Sequence, residues 1–162
     1  MDHLESIVEI KNIVHSDFIK KIIPLIDKKT TKHSYSLTLD IPTDLFYWNF
    51  IKKEIERLYL FYKTKFPMLK NNKISQIDLL KSTLGRKYDL HTDLNRSLSI
   101  IINLNDNYKG GDLVFTDQKA KEIKRLKLGK GSILFFPSNF MYPYKIEPIT
   151  KGTRYSIVAW LQ

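Results

Sequence analysis

His91-Thr92-Asp93 has the residue types and the spacing of a metal site. In an extended segment, side chains two residues apart point to the same side, so this imidazole and this carboxylate can bind one ion. Two histidines and one carboxylate on one face of an iron(II) ion leave three positions open for further ligands. On its own a His-x-Asp pair is a weak signal, because a polar pair on the protein surface has the same spacing.

Two helices are predicted in the first half of the chain. The first has Ser16 as its N-cap and runs through Leu25, with Pro24 expected to kink or end it. The second spans residues 44–66 and ends before Pro67. The apolar residues at helical spacing are Phe18, Ile19, Ile22 and Ile23 in the first helix and Phe46, Phe50, Ile51, Ile55, Leu58 and Phe61 in the second.

From Lys73 onward the pattern changes to short β-rich runs separated by turn residues. The predicted strands lie near residues 74–84, 98–104, 112–116, 122–128, 131–136, 144–148 and 153–161. Helices followed by a run of short strands favour a sandwich or jelly roll braced by helices. With 162 residues and no linker, we expect a single domain over residues 1–162, in which residues 1–72 are largely helical support and residues 73–162 form the β core.

The composition excludes several kinds of site and partner. Because the chain has no cysteine, it has no disulfide, thiolate metal site or cysteine nucleophile. We find no signal peptide and no apolar run of the ~18 residues that span a bilayer, so we expect a soluble, cytoplasmic protein without a membrane partner. The net charge of +10 could serve nucleic acid, but the lysines are spread over several segments and nucleic-acid-binding motifs are missing, which favours a solvated basic surface.

The second half of the chain resembles the iron(II)/2-oxoglutarate-dependent dioxygenases of the prolyl-4-hydroxylase type, including the small viral and microbial ones. In that family, His-x-Asp is followed by a strand ending in Leu-Asn, a GGxLxF segment, a glycine-led strand ending in Phe-Pro-Ser, and GxRYSxxxW. Here the corresponding residues are 91–93, 102–105, 110–115, 131–138 and 152–160, in the same order. The resemblance implies a double-stranded β-helix, or cupin-like jelly roll, that uses Fe(II) and 2-oxoglutarate, with ascorbate as a further candidate cofactor.

The resemblance also implies roles for four residues near the co-substrate. Arg154 matches the residue that pairs with the distal carboxylate of 2-oxoglutarate, to which a guanidinium can donate two hydrogen bonds. Ser156 lies on the same face of the final strand and can add a third hydrogen bond. Asn103 falls where the family often has a polar co-substrate contact, and Tyr88 matches a tyrosine often near substrate or co-substrate. Hydrogen bonding within the sheet, or core packing, explains these last three residues equally well.

Tyr144 breaks the family pattern. It stands ten residues before Arg154, where the family has its second histidine, and no histidine follows His91. The metal ligands implied by the resemblance are therefore His91, Asp93 and Tyr144. A neutral phenol is a poor iron(II) donor, and its unperturbed pKa of about 10 disfavours the phenolate at neutral pH. Phenolate is better suited to iron(III), so we expect a deficient metal site rather than a new chemistry.

The resemblance implies a dioxygenase that hydroxylates a peptidyl proline or a similar residue, or else a small molecule, with a variant metal site. The alternative is a catalytically impaired protein, natural or deliberately substituted, that keeps the fold as a binding module. A DNA-repair dioxygenase would account better for the charge, but the arginine spacing of that family is missing.

Overall fold

The computed structural model describes residues 3–30, 35–69 and 72–162. Its helices are a 3-10 helix (His3–Ser6), α1 (Ser16–Lys29) and α2 (Ile41–Lys65). Its strands are β1 (Val8–Ile10), β2 (Ser36–Thr38), β3 (Ile74–Ser82), β4 (Tyr88–His91), β5 (Leu98–Asn103), β6 (Lys109–Gly110), β7 (Leu113–Thr116), β8 (Glu122–Leu126), β9 (Ile133–Pro137), β10 (Tyr144–Ile146), β11 (Ile149–Lys151) and β12 (Arg154–Leu161).

Two antiparallel sheets pack face to face and form the jelly roll. The larger sheet has the strand order β1-β9-β5-β12-β3-β2, and the smaller sheet has the order β4-β10-β7-β8. A short ribbon of β6 and β11 completes the β structure of the described residues. The predicted mainly β jelly roll with flanking helices is confirmed.

The larger sheet is buried on both of its faces. Side chains alternate across a strand, so neighbouring residues of β5 enter different clusters. Ile100 and Ile102 pack with the helices, whereas Ile101 packs against the smaller sheet. On β9, Phe135 and Phe136 divide in the same way. Burial on both faces explains why these strands are apolar at nearly every position.

Helix α1 covers the outer face of the larger sheet together with α2. The predicted N-cap and end of α1 were wrong, because His15 is the N-cap residue and the helix continues through Pro24 to Lys29. A proline inside a helix costs ~3 kcal/mol. Burial of each large apolar side chain stabilises the folded state by about 1.5–3 kcal/mol. The residues buried around Pro24 include Ile22, Leu25 and Ile26. Packing therefore outweighs the local cost.

Helix α2 begins at Ile41, three residues before the predicted start, and kinks at Asp44, whose φ and ψ are −113° and 21°. It packs outside the larger sheet as predicted, but its predicted apolar face is partly wrong. Phe46 and Phe61 are 75% and 49% exposed. The apolar and aromatic residues that α2 buries are Trp48, Ile51, Ile55, Leu58, Tyr59 and Tyr62. No helix in the described ranges is long and apolar enough to cross a membrane.

Three functionally relevant strands were not predicted. Strands β1 and β2 come from the first half of the chain and form the two edges of the larger sheet, so this half is more than helical support. Each has three residues, which is too short to display an alternating pattern. Strand β4 has only four residues, of which Leu90 is exposed, yet it ends at His91 and brings this residue beside β10.

Candidate active site

A cavity of about 130 Å³ lies between the two sheets. This is roughly the space of four liquid waters, so only a small group or molecule can fill it. Its lining includes four residues singled out from the sequence, which are Tyr88, His91, Asp93 and Tyr144, whereas Arg154, Asn103 and Ser156 do not line it. The lining residues are Ser36, Asp78, Leu80, Arg86, Tyr88, His91, Asp93, Ile101, Tyr144, Ile146, Val158 and Trp160. Gly110, Gly111 and the 117–121 loop do not contribute to this wall.

The structure brings His91 and Asp93 together at one end of the cavity. The Nε2 atom of His91 lies 3.4 Å from Oδ1 of Asp93. Two ligands bound to one ion at ~2.1 Å and at a right angle are about 3 Å apart. The Nδ1 atom of His91 lies 2.7 Å from the carbonyl oxygen of Asp89, which can only accept. Nδ1 therefore carries a hydrogen, and the lone pair of the neutral ring is at Nε2.

Asp93 is held by several donors of the protein itself. Ser99 donates a hydrogen bond of 2.6 Å to Oδ2, and the hydroxyl of Tyr144 donates to the same oxygen at 3.2 Å. Burial raises the pKa of the Asp93 carboxyl, but hydrogen bonds from His91, Ser99 and Trp160 outweigh burial and hold this pKa below its ordinary value. A hydrogen bond from the protonated imidazole to Asp93 in turn raises the pKa of His91. Asp93 is thus ionised and well satisfied.

Tyr144 begins β10 and pairs with His91 of β4 on one side and with Phe115 of β7 on the other. Its ring centroid lies 4.4 Å from that of His91 and 5.0 Å from that of Phe136, and the residue is only 4% exposed. Burial, followed by the charge of Asp93, raises the pKa of Tyr144 well above its ordinary value. The side chain is therefore a neutral phenol that donates to Asp93.

Arg154 lies at the start of β12 and is 2% exposed. Its Nε donates to Oδ1 of Asn103 over 3.0 Å, but its Nη2 is buried without a hydrogen-bond partner. Burial lowers the pKa of Arg154, and the neighbouring tyrosines Tyr108 and Tyr88 partly offset this effect. A buried guanidinium nitrogen without a partner is costly, which makes Arg154 a candidate for binding an anion.

The remaining predicted co-substrate residues differ in what they contact. The hydroxyl of Tyr88 is buried without a partner, like Nη2 of Arg154. Ser156 is buried on the Arg154 side of β12, opposite Asn103 of β5. Asn103 differs, because its Nδ2 donates to the carbonyl oxygens of Asn105 and Leu128 over 2.7 and 2.9 Å, while its Oδ1 accepts from Arg154. Asn103 therefore holds Arg154 and has no free group for a co-substrate.

The description of the matching family model is the 2OG-Fe(II) oxygenase superfamily, and the match covers residues 77–162, more than half of the chain. The chain belongs to this superfamily. Within it, the chain is 33% identical to a PKHD-type hydroxylase from Prochlorococcus marinus, over 56% of the chain and 42% of that protein. A PKHD-type hydroxylase from Idiomarina loihiensis is 24% identical over 59% of the chain and 45% of its own length. The chain thus spans less than half the length of these two relatives.

The fold of the chain is also that of a solved prolyl hydroxylase. A Pseudomonas putida prolyl-4-hydroxylase superposes with a TM-score of 0.73 at 15% identity, covering 99% of the chain and 95% of that structure. This likeness supports the fold alone. The resemblance to prolyl-hydroxylase-like oxygenases that the motifs indicated is confirmed.

The two cofactors named by the superfamily fit this chain unequally. For 2-oxoglutarate, Nη2 of Arg154 and the hydroxyl of Tyr88 are buried donors without partners, which is the arrangement that a carboxylate completes. For iron(II), the chain presents one imidazole, one carboxylate and one neutral phenol. No group of three His, Cys, Asp or Glu side chains in the described ranges could hold a metal. The donor set fits iron(II) at two positions and not at the third.

Several residues that build the site of this oxygenase were missed in the sequence. Ser99 and Trp160 hold Asp93, and Tyr108 lies beside Arg154. Ser99 could have been found, because it precedes Asn103 by four residues on an otherwise apolar strand and so shares its inner face. Gly111 has a φ of +71°, and a Cβ there would lie 2.8 Å from Cδ1 of Ile149 and 3.5 Å from Cδ of Arg154. The second glycine of the GGxLxF segment thus permits the positive φ and leaves room for the side chain of Ile149.

Proposed function

We propose that the chain is a 2-oxoglutarate- and Fe(II)-dependent dioxygenase with a weakened metal site, acting on a peptidyl proline or a similar residue. The observation that carries the proposal is the fully buried Arg154, whose Nη2 has no partner in a barrel that also holds the His91–Asp93 pair. The substrate class is supported by the PKHD-type hydroxylases to which the chain is similar and by its likeness to a prolyl-4-hydroxylase.

The co-substrate would be bound and oriented at the carboxylate end of the barrel interior, which is formed by Arg154, Asn103 and Tyr88. Arg154 donates to the distal carboxylate of 2-oxoglutarate, while Asn103 fixes the guanidinium through Nε. The hydroxyl of Tyr88 offers a further donor from the cavity wall. The apolar lining excludes water and strengthens these hydrogen bonds.

His91 and Asp93 would hold the metal. When bound, iron supplies the redox chemistry that couples the loss of CO₂ from 2-oxoglutarate to hydroxylation. His91 is prepared for this role because the Asp89 carbonyl directs its hydrogen to Nδ1. Tyr144 weakens the site, since its hydroxyl donates to the carboxylate that must bind the ion and its neutral form adds no charge.

A second candidate function is a binding module that takes 2-oxoglutarate or a related carboxylate without turnover. The observation that favours it is the hydrogen bonding of Asp93, which receives donors from Ser99 and Tyr144 and so is satisfied without a metal ion. In this case the barrel keeps its carboxylate end and loses its metal end.

The two functions are separated by measuring metal content, 2-oxoglutarate binding and succinate release on the same protein. We expect binding of 2-oxoglutarate, and slow succinate release that increases with added Fe(II) and ascorbate and stops in His91→Ala. Binding without succinate at any iron concentration would favour the binding module. If 2-oxoglutarate does not bind and no succinate forms, both functions are wrong.

A further inference from the structure

Arg86 lies in the loop between β3 and β4 and has no part in the site described so far. It lines the same cavity as His91, Asp93 and Tyr144. Its Nε is buried and has no hydrogen-bond partner. Arg86 thus brings a second unpaired buried donor to the residues that line the cavity, besides Tyr88, on the side of the exposed Ser36.

The side chain of Arg86 is held rigidly between two aromatic rings. Its guanidinium carbon lies 4.9 Å from the ring centroid of Tyr35 and 5.0 Å from that of Tyr88. Its backbone is also fixed, because its N–H donates to Thr83 over 3.0 Å and its carbonyl accepts from Ile149 over 3.1 Å. A guanidinium that is fixed before binding loses little entropy when it meets a planar anion.

Arg96 is a second stacked arginine, and it provides a comparison for Arg86 because it lies outside the cavity wall. It stacks on Trp160 at 5.6 Å and donates to Oγ of Ser75 over 2.9 Å and to Oε1 of Gln76 over 2.8 Å. Its stacking resembles that of Arg86, but its polar atoms have protein partners. The unpaired Nε of Arg86 is therefore not a general result of stacking.

The acidic groups near Arg86 are engaged elsewhere. Asp78 lines the same cavity, but its Oδ1 accepts from Thr38 over 2.8 Å and from Gln76 over 2.9 Å. Asp93 accepts from Ser99 and Tyr144. The net charge of +10 favours the approach of an anion from solvent.

We propose that Arg86 is a second carboxylate-recognition residue, placed at the mouth of the barrel cavity and distinct from Arg154. The inference rests on the proposed function, because it assumes that the cavity receives the co-substrate or the substrate. Arg86 shares the cavity wall with His91 and Asp93, so the carboxylate of a molecule bound in the cavity would lie close to its guanidinium. That carboxylate belongs either to 2-oxoglutarate, as its second acidic group, or to an acidic substrate.

The first arm of the test is calorimetric titration of 2-oxoglutarate into metal-free protein containing EDTA. Wild type is compared with Arg86→Leu and with Arg96→Leu, which removes the same charge from a stacked arginine outside the cavity wall. If the carboxylate is that of the co-substrate, Arg86→Leu binds about tenfold more weakly or worse, as expected for a charge-assisted hydrogen bond, and Arg96→Leu does not. Arg86→Lys recovers part of the affinity, because lysine keeps the positive charge but cannot donate two parallel hydrogen bonds to one carboxylate.

The second arm uses fluorescent proline peptides at saturating 2-oxoglutarate, in pairs that differ only by Glu or Gln beside the proline. If the carboxylate is that of the substrate, wild type and Arg96→Leu prefer the Glu peptide about tenfold and Arg86→Leu has no preference. The proposal is wrong if both the 2-oxoglutarate affinity and the peptide preference of Arg86→Leu equal those of wild type. All readings are binding constants, so a failure of the dioxygenase proposal would appear separately, as absent succinate with unchanged binding.

Discussion

The two polar ends of the barrel interior differ in how the protein treats its buried hydrogen-bonding groups. At the metal end, formed by His91, Asp93 and Tyr144, the carboxylate receives donors from the chain itself. At the carboxylate end, Nη2 of Arg154 and the hydroxyl of Tyr88 have no partner. Buried polar groups are nearly always paired in folded proteins, so the unpaired end is the one whose partner comes from outside.

The difference also suggests what the tyrosine has changed. In the proposed assignment Tyr144 replaces a metal ligand of the superfamily, and its hydroxyl donates a hydrogen bond to Asp93. Each unsatisfied buried group costs ~1–3 kcal/mol, a cost that remains for Arg154 and Tyr88 but not for Asp93. The carboxylate of the metal end is thus hydrogen-bonded without a ligand, whereas the buried donors of the carboxylate end are paired only when a ligand binds.

The largest effect is expected for Arg154→Met at the carboxylate end. The affinity for 2-oxoglutarate should fall at least about 100-fold, ~3 kcal/mol, because two charge-assisted hydrogen bonds are lost in a dry site. The melting temperature of the ligand-free protein should not fall, since an apolar side chain replaces an incompletely paired buried charge. Calorimetry and thermal unfolding measure the two quantities. A large loss of stability with unchanged affinity would mean that Arg154 is structural.

Tyr144→His should repair the metal end. Restoring an imidazole should raise iron(II) affinity about 10- to 100-fold, and succinate release should rise with it. Tyr144→Phe is the matched control, because it removes the hydroxyl and keeps the ring. If Tyr144 competes for Asp93, the Phe variant binds iron at least as well as wild type. If iron binding falls in the Phe variant, Tyr144 is itself a ligand and the two ends are equally ready for their ligands.

Ligand addition compares the two ends in one unmodified protein. At ten times its dissociation constant, 2-oxoglutarate in EDTA should stabilise the fold by ~1.4 kcal/mol, which raises the melting temperature by roughly 3–6 °C. Mn(II) is a redox-stable substitute for Fe(II). Added alone at the same concentration as 2-oxoglutarate, it should shift the melting temperature by less than ~1 °C, because Asp93 already accepts hydrogen bonds from the protein. A larger rise in melting temperature with Mn(II) than with 2-oxoglutarate would show that the metal end depends more on its ligand than the carboxylate end does.

The smallest effect is expected for Tyr88→Phe. One neutral hydrogen bond to the co-substrate is worth about 1 kcal/mol, so the affinity for 2-oxoglutarate should fall about fivefold. Because the hydroxyl has no protein partner, removing it should leave the ligand-free stability unchanged or slightly higher. Tyr108→Phe provides a contrast, since that hydroxyl donates to Asn103 over 3.2 Å and its loss should lower stability.

The part of the site that was predictable from sequence lies on regular strands. The separation of His91 and Asp93, and the alternation along β5 and β12, place these residues on inner faces whatever the details of the fold. Contacts across the barrel were not predictable in this way. Asn103 was expected to contact the co-substrate, and only the arrangement of the strands reveals that it holds Arg154 instead. Arg86 carries no motif, and its position depends on a loop.

The fold was predictable to a similar depth. The change from helical to β-rich patterns located the jelly roll, because many residues contribute to each pattern. Single local rules failed where packing opposed them. Pro24 does not end α1, and Phe46 is at helical spacing but faces solvent. Strands of three residues, such as β1, carry too little pattern to be found.

The position of β12 in the larger sheet has a consequence for how this protein is made. β12 lies between β5 and β3, and its pairing joins Leu161 to Ile74 and Ser156 to Asn103. Such long-range pairings form slowly, and the sheet cannot close during synthesis until residues 154–161 have left the ribosome. Arg154 arrives with that strand. A nascent chain thus acquires its central strand and Arg154 in the same step, and under the proposed function 2-oxoglutarate can stabilise the fold only after that step.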